Sequence, residues 1–261
     1  RNAVIFVADG LRYESVTPKT APTMWALKRR GVDFANSHAL YPTLTTANAS
    51  AIATGHYLGD TGDYANVLYT GFPVAAGNNA SVVFLEDDAI LKEMKAHFGE
   101  GYLGSQSLIE AARAAGMMTA VVGKTGPSAI QDIAALEGKG GILLDDTTGK
   151  PDSPVMLDPE IAAQIKAATG LDAAPGTTIP NAAQQAYLVT ATTQVLLPYL
   201  KAKGKPFVLL FWSRDPDATQ HATPDSVGAL MPGINGETAK AGIANADSDL
   251  KALLGALNRL G

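Results

Sequence analysis

Residues 41–62 read YPTLTTANASAIATGHYLGDTG, and the rest of the chain is interpreted around this stretch. Pro42 cannot continue a helix, because proline lacks an N–H and restricts the residue before it. The residues from Thr46 onward are small and tolerate a helix, and Gly55 is a usual helix stop. The stretch therefore predicts a loop that leads into a short helix, with Thr45 and Thr46 in its first turn.

A threonine at a helix start has two interpretations. The free N–H groups and partial positive charge of a helix N-terminus bind phosphate-like anions. A hydroxyl at that position can attack such an anion when a metal ion lowers its pKa. The alternative is that Thr45 or Thr46 only caps the helix, which is a common role for threonine. Taken alone, the stretch favours the cap, so the choice depends on residues elsewhere in the chain.

Metal-ligating residues follow two apolar runs. Asp9 follows the run AVIFVA at 3–8, and Asp217 with His221 comes after the run FVLLFW at 207–212. Short apolar runs predict strands buried on both faces of a parallel sheet, where ligands collect at the carboxyl ends. Taken singly, Asp9 would be a turn residue and the other two a surface pair. Two carboxylates and an imidazole converging there suit zinc or another divalent transition metal better than calcium or magnesium.

At these positions the sequence resembles the type I phosphodiesterase/nucleotide pyrophosphatase family of the alkaline phosphatase superfamily. The family has an Asp-Gly after its first strand, a Tyr-Pro-Thr-x-Thr nucleophile motif with a later Thr-Gly, a following Asn and Tyr, and a Pro-Asp-x-x-x-His metal motif. The matching residues are Asp9-Gly10, residues 41–45 with Thr54-Gly55, Asn66 and Tyr69, and Pro216-Asp217 with His221. Order and spacing agree over roughly the first 70 residues and again around 206–221.

The resemblance implies a metal-dependent hydrolase of phosphoric esters, with a small phosphate-ester or nucleotide substrate and a covalent phospho-threonine intermediate. Thr45 would be the nucleophile, and Asn66 and Tyr69 would contact the substrate. Two divalent metal ions, zinc by this resemblance, would be held by ligands that include Asp9, Thr45, Asp217 and His221. The resemblance also implies a periplasmic or secreted location.

One departure from the family is large. The family completes its metal sites with an Asp-His-Gly and a further histidine downstream of the matched positions, and this chain contains no Asp-His pair. Residue 261 follows a predicted helix, where the family's next strand would begin. We therefore expect the C-terminal part of the family fold to be absent from this chain. Each metal site would be half built, and we expect weak binding of divalent metal and no activity without the downstream residues.

Two alternatives to a phosphodiesterase stay open. One is a phosphonate-carbon hydrolase of the same superfamily, and the other is a catalytically inactive member that serves as a binding module. A sulfatase is disfavoured, because the Cys/Ser-x-Pro-x-Arg motif of that class is absent. Metal content separates the inactive member from the enzymes, and a substrate panel separates the two enzymes.

Composition limits the partners. The 261 residues are 46% hydrophobic, which is enough for one large domain, here residues 1–261, with a buried core. The net charge of −5 and the lack of a basic block argue against a nucleic-acid polymer as partner. No apolar run is long enough for a membrane span. The chain has no cysteine, which excludes disulfides and thiolate nucleophiles. The oligomeric state stays open.

The remaining pattern predicts an α/β fold, with a mostly parallel sheet flanked by helices on both faces. Strands are predicted at 3–8, 32–39, 118–122 and 207–212, and helices at 23–30, 88–97, 105–115, 159–169, 181–202 and 237–260. Irregular insertions are predicted at about 70–100 and 136–180, and a loop at 222–236. The last helix is expected to carry Asp247, Asp249 and Lys251 on its polar face.

The sequence also predicts the environments of several charged residues and histidines outside the family motifs. Lys124 ends the 118–122 strand region at the presumed active edge and would either meet a substrate anion or be solvated. The run Glu86-Asp87-Asp88 predicts a solvated face. The remaining histidines, for which surface or hydrogen-bonded positions are expected, are His38, His56 and His97.

Overall fold

The computed structural model describes residues 1–99, 102–226 and 236–261. The strands in these ranges are β1 (Ala3–Ala8), β2 (Val67–Val74), β3 (Ala80–Phe84), β4 (Met118–Gly123), β5 (Ile142–Asp145) and β6 (Phe207–Ser213). Four of them form a parallel sheet in the order β1-β6-β4-β5, and β2 pairs with β3 in an antiparallel hairpin. The predicted parallel sheet is confirmed.

Helices cover both faces of this sheet. They are α1 (Pro22–Arg30), α2 (Thr45–Thr54), α3 (Leu58–Thr61), α4 (Asp88–Phe98), α5 (Leu108–Ala114), α6 (Pro127–Gln131), α7 (Pro159–Thr169), α8 (Ala182–Ala191), α9 (Leu197–Ala202) and α10 (Glu237–Leu260). Because strand side chains alternate between faces, Leu210 and Trp212 join the core under α2, α4 and α6. Leu209 and Phe211 join the core under α7 to α10.

The first strand is less buried than its sequence predicts. Every residue of β6 is buried, whereas the residues of β1 are partly or fully exposed. The cause is position, because β6 lies between β1 and β4 while β1 pairs with β6 alone among the described strands. The expectation that residues 3–8 are buried on both faces is therefore wrong in this structure.

The predicted strand at 32–39 is also wrong. These residues form no strand, and the side chains of Val32 and Phe34 are 77% and 74% exposed. Alternating sequence is insufficient here, since a strand also needs a partner to satisfy its backbone groups. The segment 70–100, predicted as irregular apart from a helix at 88–97, also contains most of the β2–β3 hairpin, and the predicted helix is confirmed as α4.

The predicted helix at 181–202 is one helical run with a change of register. A π-helical turn, Thr192–Leu196, separates α8 from α9 and lies directly before Pro198. Proline lacks an N–H and its ring clashes with the carbonyl four residues earlier, so the hydrogen bonds must rearrange upstream. Residues 227–235 of the predicted loop lie outside the described residues.

The last helix, α10, places two acids in the interior. Asp247 and Asp249 are buried, so the expectation that both lie on a polar face is wrong. The carboxylate of Asp247 accepts hydrogen bonds from the backbone N–H groups of Thr23 (3.0 Å) and Met24 (2.8 Å), which are the first free donors of α1. No helix in the described ranges is long and apolar enough to cross a membrane.

Candidate active site

A cleft of about 770 Å³ opens where β1 and β6 end and α2 begins. Its lining includes Asp9, Thr45 and Asp217, three of the four residues predicted to hold metal. The strand ends supply the two carboxylates and the helix start supplies the threonine. The predicted convergence at the carboxyl ends of the parallel strands is thus present in the structure.

Gly10 brings the two carboxylates together. Its φ of +70° lies in the left-handed region, which side chains disfavour. A Cβ on Gly10 would also stand 2.9 Å from the Cα of Asp217, which is too close for a real contact. The glycine after Asp9 is therefore needed for two reasons, the turn after β1 and the close passage of the chain that carries Asp217.

The two threonines at the start of α2 have different surroundings. The residue at the N-cap position is Leu44, and no side chain caps the helix there, so the capping interpretation of Thr45 and Thr46 is wrong. The hydroxyl of Thr46 is buried within 3.2 Å of the Asp63 carboxylate, 3.1 Å of the Ala65 carbonyl and 3.2 Å of the Asn66 side-chain oxygen. The hydroxyl of Thr45 makes no hydrogen bond to any residue in the described ranges.

A buried carboxylate holds α2 from below. Asp63 accepts hydrogen bonds from the hydroxyls of Ser50 (2.6 Å) and Thr46 (3.2 Å). Burial raises the pKa of Asp63 to about 6, while the two hydroxyls oppose the rise. The backbone N–H of Thr46 donates to the side-chain oxygen of Asn66 at 2.9 Å. These contacts fix the first turn of α2, on which Thr45 lies.

Lys124 lies behind the two carboxylates and is not solvated. Its side chain is 3% exposed, and its Nζ lies 2.9 Å from Asp9 Oδ2, 3.0 Å from Glu86 Oε2 and 3.6 Å from Asp217 Oδ2. Burial alone would lower the pKa of Lys124, but the three carboxylates outweigh burial and raise it. The ammonium group is therefore charged and balances part of the negative charge at the cleft.

The interpretation of the acidic run at 86–88 as a solvated face is also wrong. Glu86 pairs with Lys124, Asp87 accepts from the N–H groups of Ala89 and Ile90 as the N-cap of α4, and Asp88 is buried. The carboxylate of Asp88 accepts from the backbone N–H of Gly126 at 3.0 Å. The interpretation as a solvated face fails because each acid has its own donor, local for Asp87 and from a distant part of the chain for Glu86 and Asp88.

The other predicted site residues do not all lie at the cleft. The side-chain nitrogen of Asn66 points to Glu86 Oε1 at 3.4 Å, and its oxygen faces Thr46. His221 Nε2 lies 3.3 Å from Asp217 Oδ1, at the exposed rim. Tyr69 lies on β2, 70% exposed, and lines a separate cavity, so the structure does not bring it to the cleft.

Sequence reasoning missed three residues of the cleft and its support. Arg12 and His38 line the cleft, and Glu86 lies behind it. Arg12 follows the Asp-Gly motif by two positions, which was a usable signal because the turn after β1 forms the cleft wall. Glu86 gave none, since its contact with Lys124 joins residues 38 positions apart.

The donor types at the cleft fit a divalent metal ion, but the described residues do not complete a ligand set. Asp217 with His221, and Asp9 with Thr45, are carboxylate, imidazole and hydroxyl donors of the kind that bind zinc. Within the ranges that the structure describes, no group of three or more His, Cys, Asp or Glu side chains is arranged to hold one ion.

Comparison with known proteins shows the family of the chain and its fold. The model of a family described as type I phosphodiesterase/nucleotide pyrophosphatase matches residues 3–261. Phosphonoacetate hydrolase from Sinorhizobium meliloti 1021, solved with phosphonoformate, is similar over 98% of this chain and 53% of its own, with 18% identity and a TM-score of 0.60. Murine ectonucleotide pyrophosphatase/phosphodiesterase 5 in complex with AMP is similar over 100% of this chain and 53% of its own, with 15% identity and a TM-score of 0.54.

These solved structures share the fold of the chain, which spans about half of the length of each, 53% in both cases. No curated protein sequence matches the chain.

Proposed function

The chain belongs to the type I phosphodiesterase/nucleotide pyrophosphatase family, and from that premise we propose that it carries the nucleophile and the first metal ligands of a phosphoester hydrolase. This is a family of hydrolases that use divalent metal ions. The observation that carries the proposal is the contrast between the two threonines at the start of α2. The single O–H of Thr46 is surrounded by three acceptors, whereas the Thr45 hydroxyl has no hydrogen-bond partner among the described residues and lines the cleft.

In the proposed reaction Thr45 Oγ1 attacks the phosphorus atom of a phosphoric ester. The ester bond breaks, its oxygen leaves with a proton, and the phosphoryl group stays on Thr45 until water hydrolyses it. Two divalent metal ions, one with ligands that include Asp9 and Thr45 and the other with ligands that include Asp217 and His221, would lower the pKa of the attacking hydroxyl and neutralise phosphoryl charge. The positive end of α2 lies beside the reacting group and favours the same anion.

Asn66 has one proposed role in this step. One N–H of its amide faces Glu86, which leaves the second free to donate to a phosphoryl oxygen. Its oxygen is held by the backbone N–H of Thr46, so the amide is oriented before substrate arrives. Preorganised donors of this kind stabilise charge that develops in a transition state.

The test uses the full natural protein with zinc in excess and bis(4-nitrophenyl) phosphate as substrate. Thr45→Ala should abolish turnover, while Thr193→Ala, a change of the same residue type outside the cleft, should leave it within about threefold. Quenched reactions should yield a phosphorylated peptide that maps to Thr45 by mass spectrometry. Phosphate on Thr46, or turnover by the Thr45→Ala protein, would contradict the assignment.

The same assay separates the alternatives. Phosphonoacetate, tested beside the phosphodiester, distinguishes a phosphonate-carbon hydrolase by the appearance of acetate and phosphate. A protein that binds zinc but acts on neither substrate would be an inactive member of the family. A periplasmic or secreted location, expected from the family resemblance, stays a prediction, as does a contact of Tyr69 or Lys124 with substrate.

A further inference from the structure

We propose that Lys124 competes with a divalent cation for Asp9 and Asp217, and that Glu86 holds Lys124 aside when the cation is bound. The identity of Asp9 and Asp217 as metal ligands rests on the proposed function. Glu86 then acts as a positioning residue, which works through Lys124 rather than by touching substrate. Glu86 lies outside every motif that the sequence shares with the family.

The competition follows from the position of Lys124. Its Nζ lies 2.9 Å from Asp9 Oδ2, and a carboxylate oxygen binds zinc at about 2.0–2.2 Å. With both partners on that oxygen, two positive charges would lie at most roughly 5 Å apart in a buried setting, where water screens them little. A cation on Asp9 therefore requires Lys124 to withdraw from it.

Glu86 gives Lys124 a place to withdraw to. Its two carboxylate oxygens lie 3.1 and 3.0 Å from Lys124 Nζ, which makes a bidentate contact that involves neither aspartate. The Glu86 side chain is largely buried, so this ion pair is shielded from water. Withdrawal would keep a contact that already has hydrogen-bond length, with no need for a new pocket.

The backbone around Glu86 is built for this contact. Gly126, two residues after Lys124, has a φ of +84°, and a Cβ there would stand 2.5 Å from Glu86 Cα. Only glycine lets the two segments approach so closely. Glu86 Oε1 is also 3.4 Å from the Asn66 amide, so a lysine held by Glu86 stays beside the group proposed to contact the phosphoryl oxygens.

The experiment measures zinc affinity of the full natural protein by calorimetry, without substrate. K124M removes the competitor and should bind zinc about tenfold or more tightly than the wild type, which is within the range of effects of residues that contact metal ligands. E86Q leaves Lys124 with Asp9 and Asp217 alone and should weaken binding about tenfold. In the K124M background, E86Q should change affinity by less than about twofold. Lys139→Met, which breaks the exposed pair with Glu137, is the matched control and should have no effect.

Either of two results overturns the proposal: unchanged or weaker zinc binding by K124M, or an E86Q effect that persists in the double variant. Should K124M fail to fold, E86Q against the wild type still decides, with K124R as a variant that keeps the charge and should not tighten binding. Because no turnover is measured, a protein that hydrolyses nothing can still confirm the competition. A protein that hydrolyses phosphodiesters but shows no K124M effect would retain the proposed function and refute this inference.

Discussion

Asp249 on α10 is the buried acid with the most direct consequence for stability. Its Oδ2 accepts a hydrogen bond from the Gln185 side-chain nitrogen at 2.6 Å and lies 3.4 Å from the Ser213 hydroxyl. Burial, together with the nearby Asp215 carboxylate, raises the pKa of Asp249 to about 7, while the hydrogen bonds from Gln185 and Ser213 oppose the rise. Above that pH the native protein must keep an unpaired charge in its interior.

The size of the effect follows from the two pKa values. The folded pKa of about 7 exceeds the ordinary value of 3.8 by roughly three pH units, and each unit corresponds to about 1.4 kcal/mol. Because the folded pKa is raised, protonation favours the native state, and this stability is lost as the pH rises through 7. Between about pH 5 and pH 8 the wild type should lose about 2–3 kcal/mol at this residue.

Asp249→Asn should remove that loss, because asparagine does not ionise. The Asn side-chain oxygen can still accept the hydrogen bond from the Gln185 side-chain nitrogen. We expect the variant to gain about 2–3 kcal/mol relative to the wild type on going from pH 5 to pH 8. At pH 8 it should be the more stable protein.

Urea denaturation at each pH, in the presence of a chelator, measures the difference in the free energy of unfolding. Asp152→Asn, which changes an exposed aspartate, is the control and should show the same difference at both pH values. A pH-independent difference for Asp249→Asn, or a wild type that gains stability between pH 5 and pH 8 relative to the variant, would refute the assignment of a buried charge to Asp249.

Two further predictions concern contacts that support the site. Asp247→Ala should lower the free energy of unfolding by about 1–2 kcal/mol, because the N–H groups of Thr23 and Met24 at the start of α1 lose their acceptor. Urea denaturation measures this difference. A loss below about 0.5 kcal/mol would show that water replaces the carboxylate as acceptor. Asn66→Ala in the full natural protein should raise the activation barrier that kcat/KM measures for the phosphodiester by about 3 kcal/mol, as the loss of an oxyanion-hole donor does. Unchanged kcat/KM would assign Asn66 to the support of Thr46 alone.

The parts of the fold that the sequence predicted are those set by local pattern. The runs that became β1, β4 and β6 are apolar and bounded by turn residues, and a strand of that kind needs no partner to be recognised. The strand expected at 32–39 failed because pairing is not local. The burial of β1 was overestimated for the same reason, since its place at the edge of the described sheet depends on strand order.

The site was predictable to the extent that it lies at strand and helix ends. Asp9, Thr45 and Asp217 share one cleft because parallel strands deliver their carboxyl ends to one edge. The partners of Lys124 were not predictable from the sequence. Burying a charged lysine costs free energy, and here three carboxylates from distant parts of the chain offset that cost. The acidic run at 86–88 reads as solvent-facing for the same reason.

A chain of contacts joins the proposed nucleophile to the proposed metal ligands. It runs from the backbone N–H of Thr46 to Asn66, from Asn66 to Glu86, and from Glu86 through Lys124 to Asp9. Every member is wholly or partly buried, so the loss of one leaves a charge or a donor without compensation. The consequence is that helix α2 and the end of β1 are linked: a change in what Asp9 binds alters the partners of Lys124, and through Glu86 the contacts of the Asn66 amide that accepts from the Thr46 N–H.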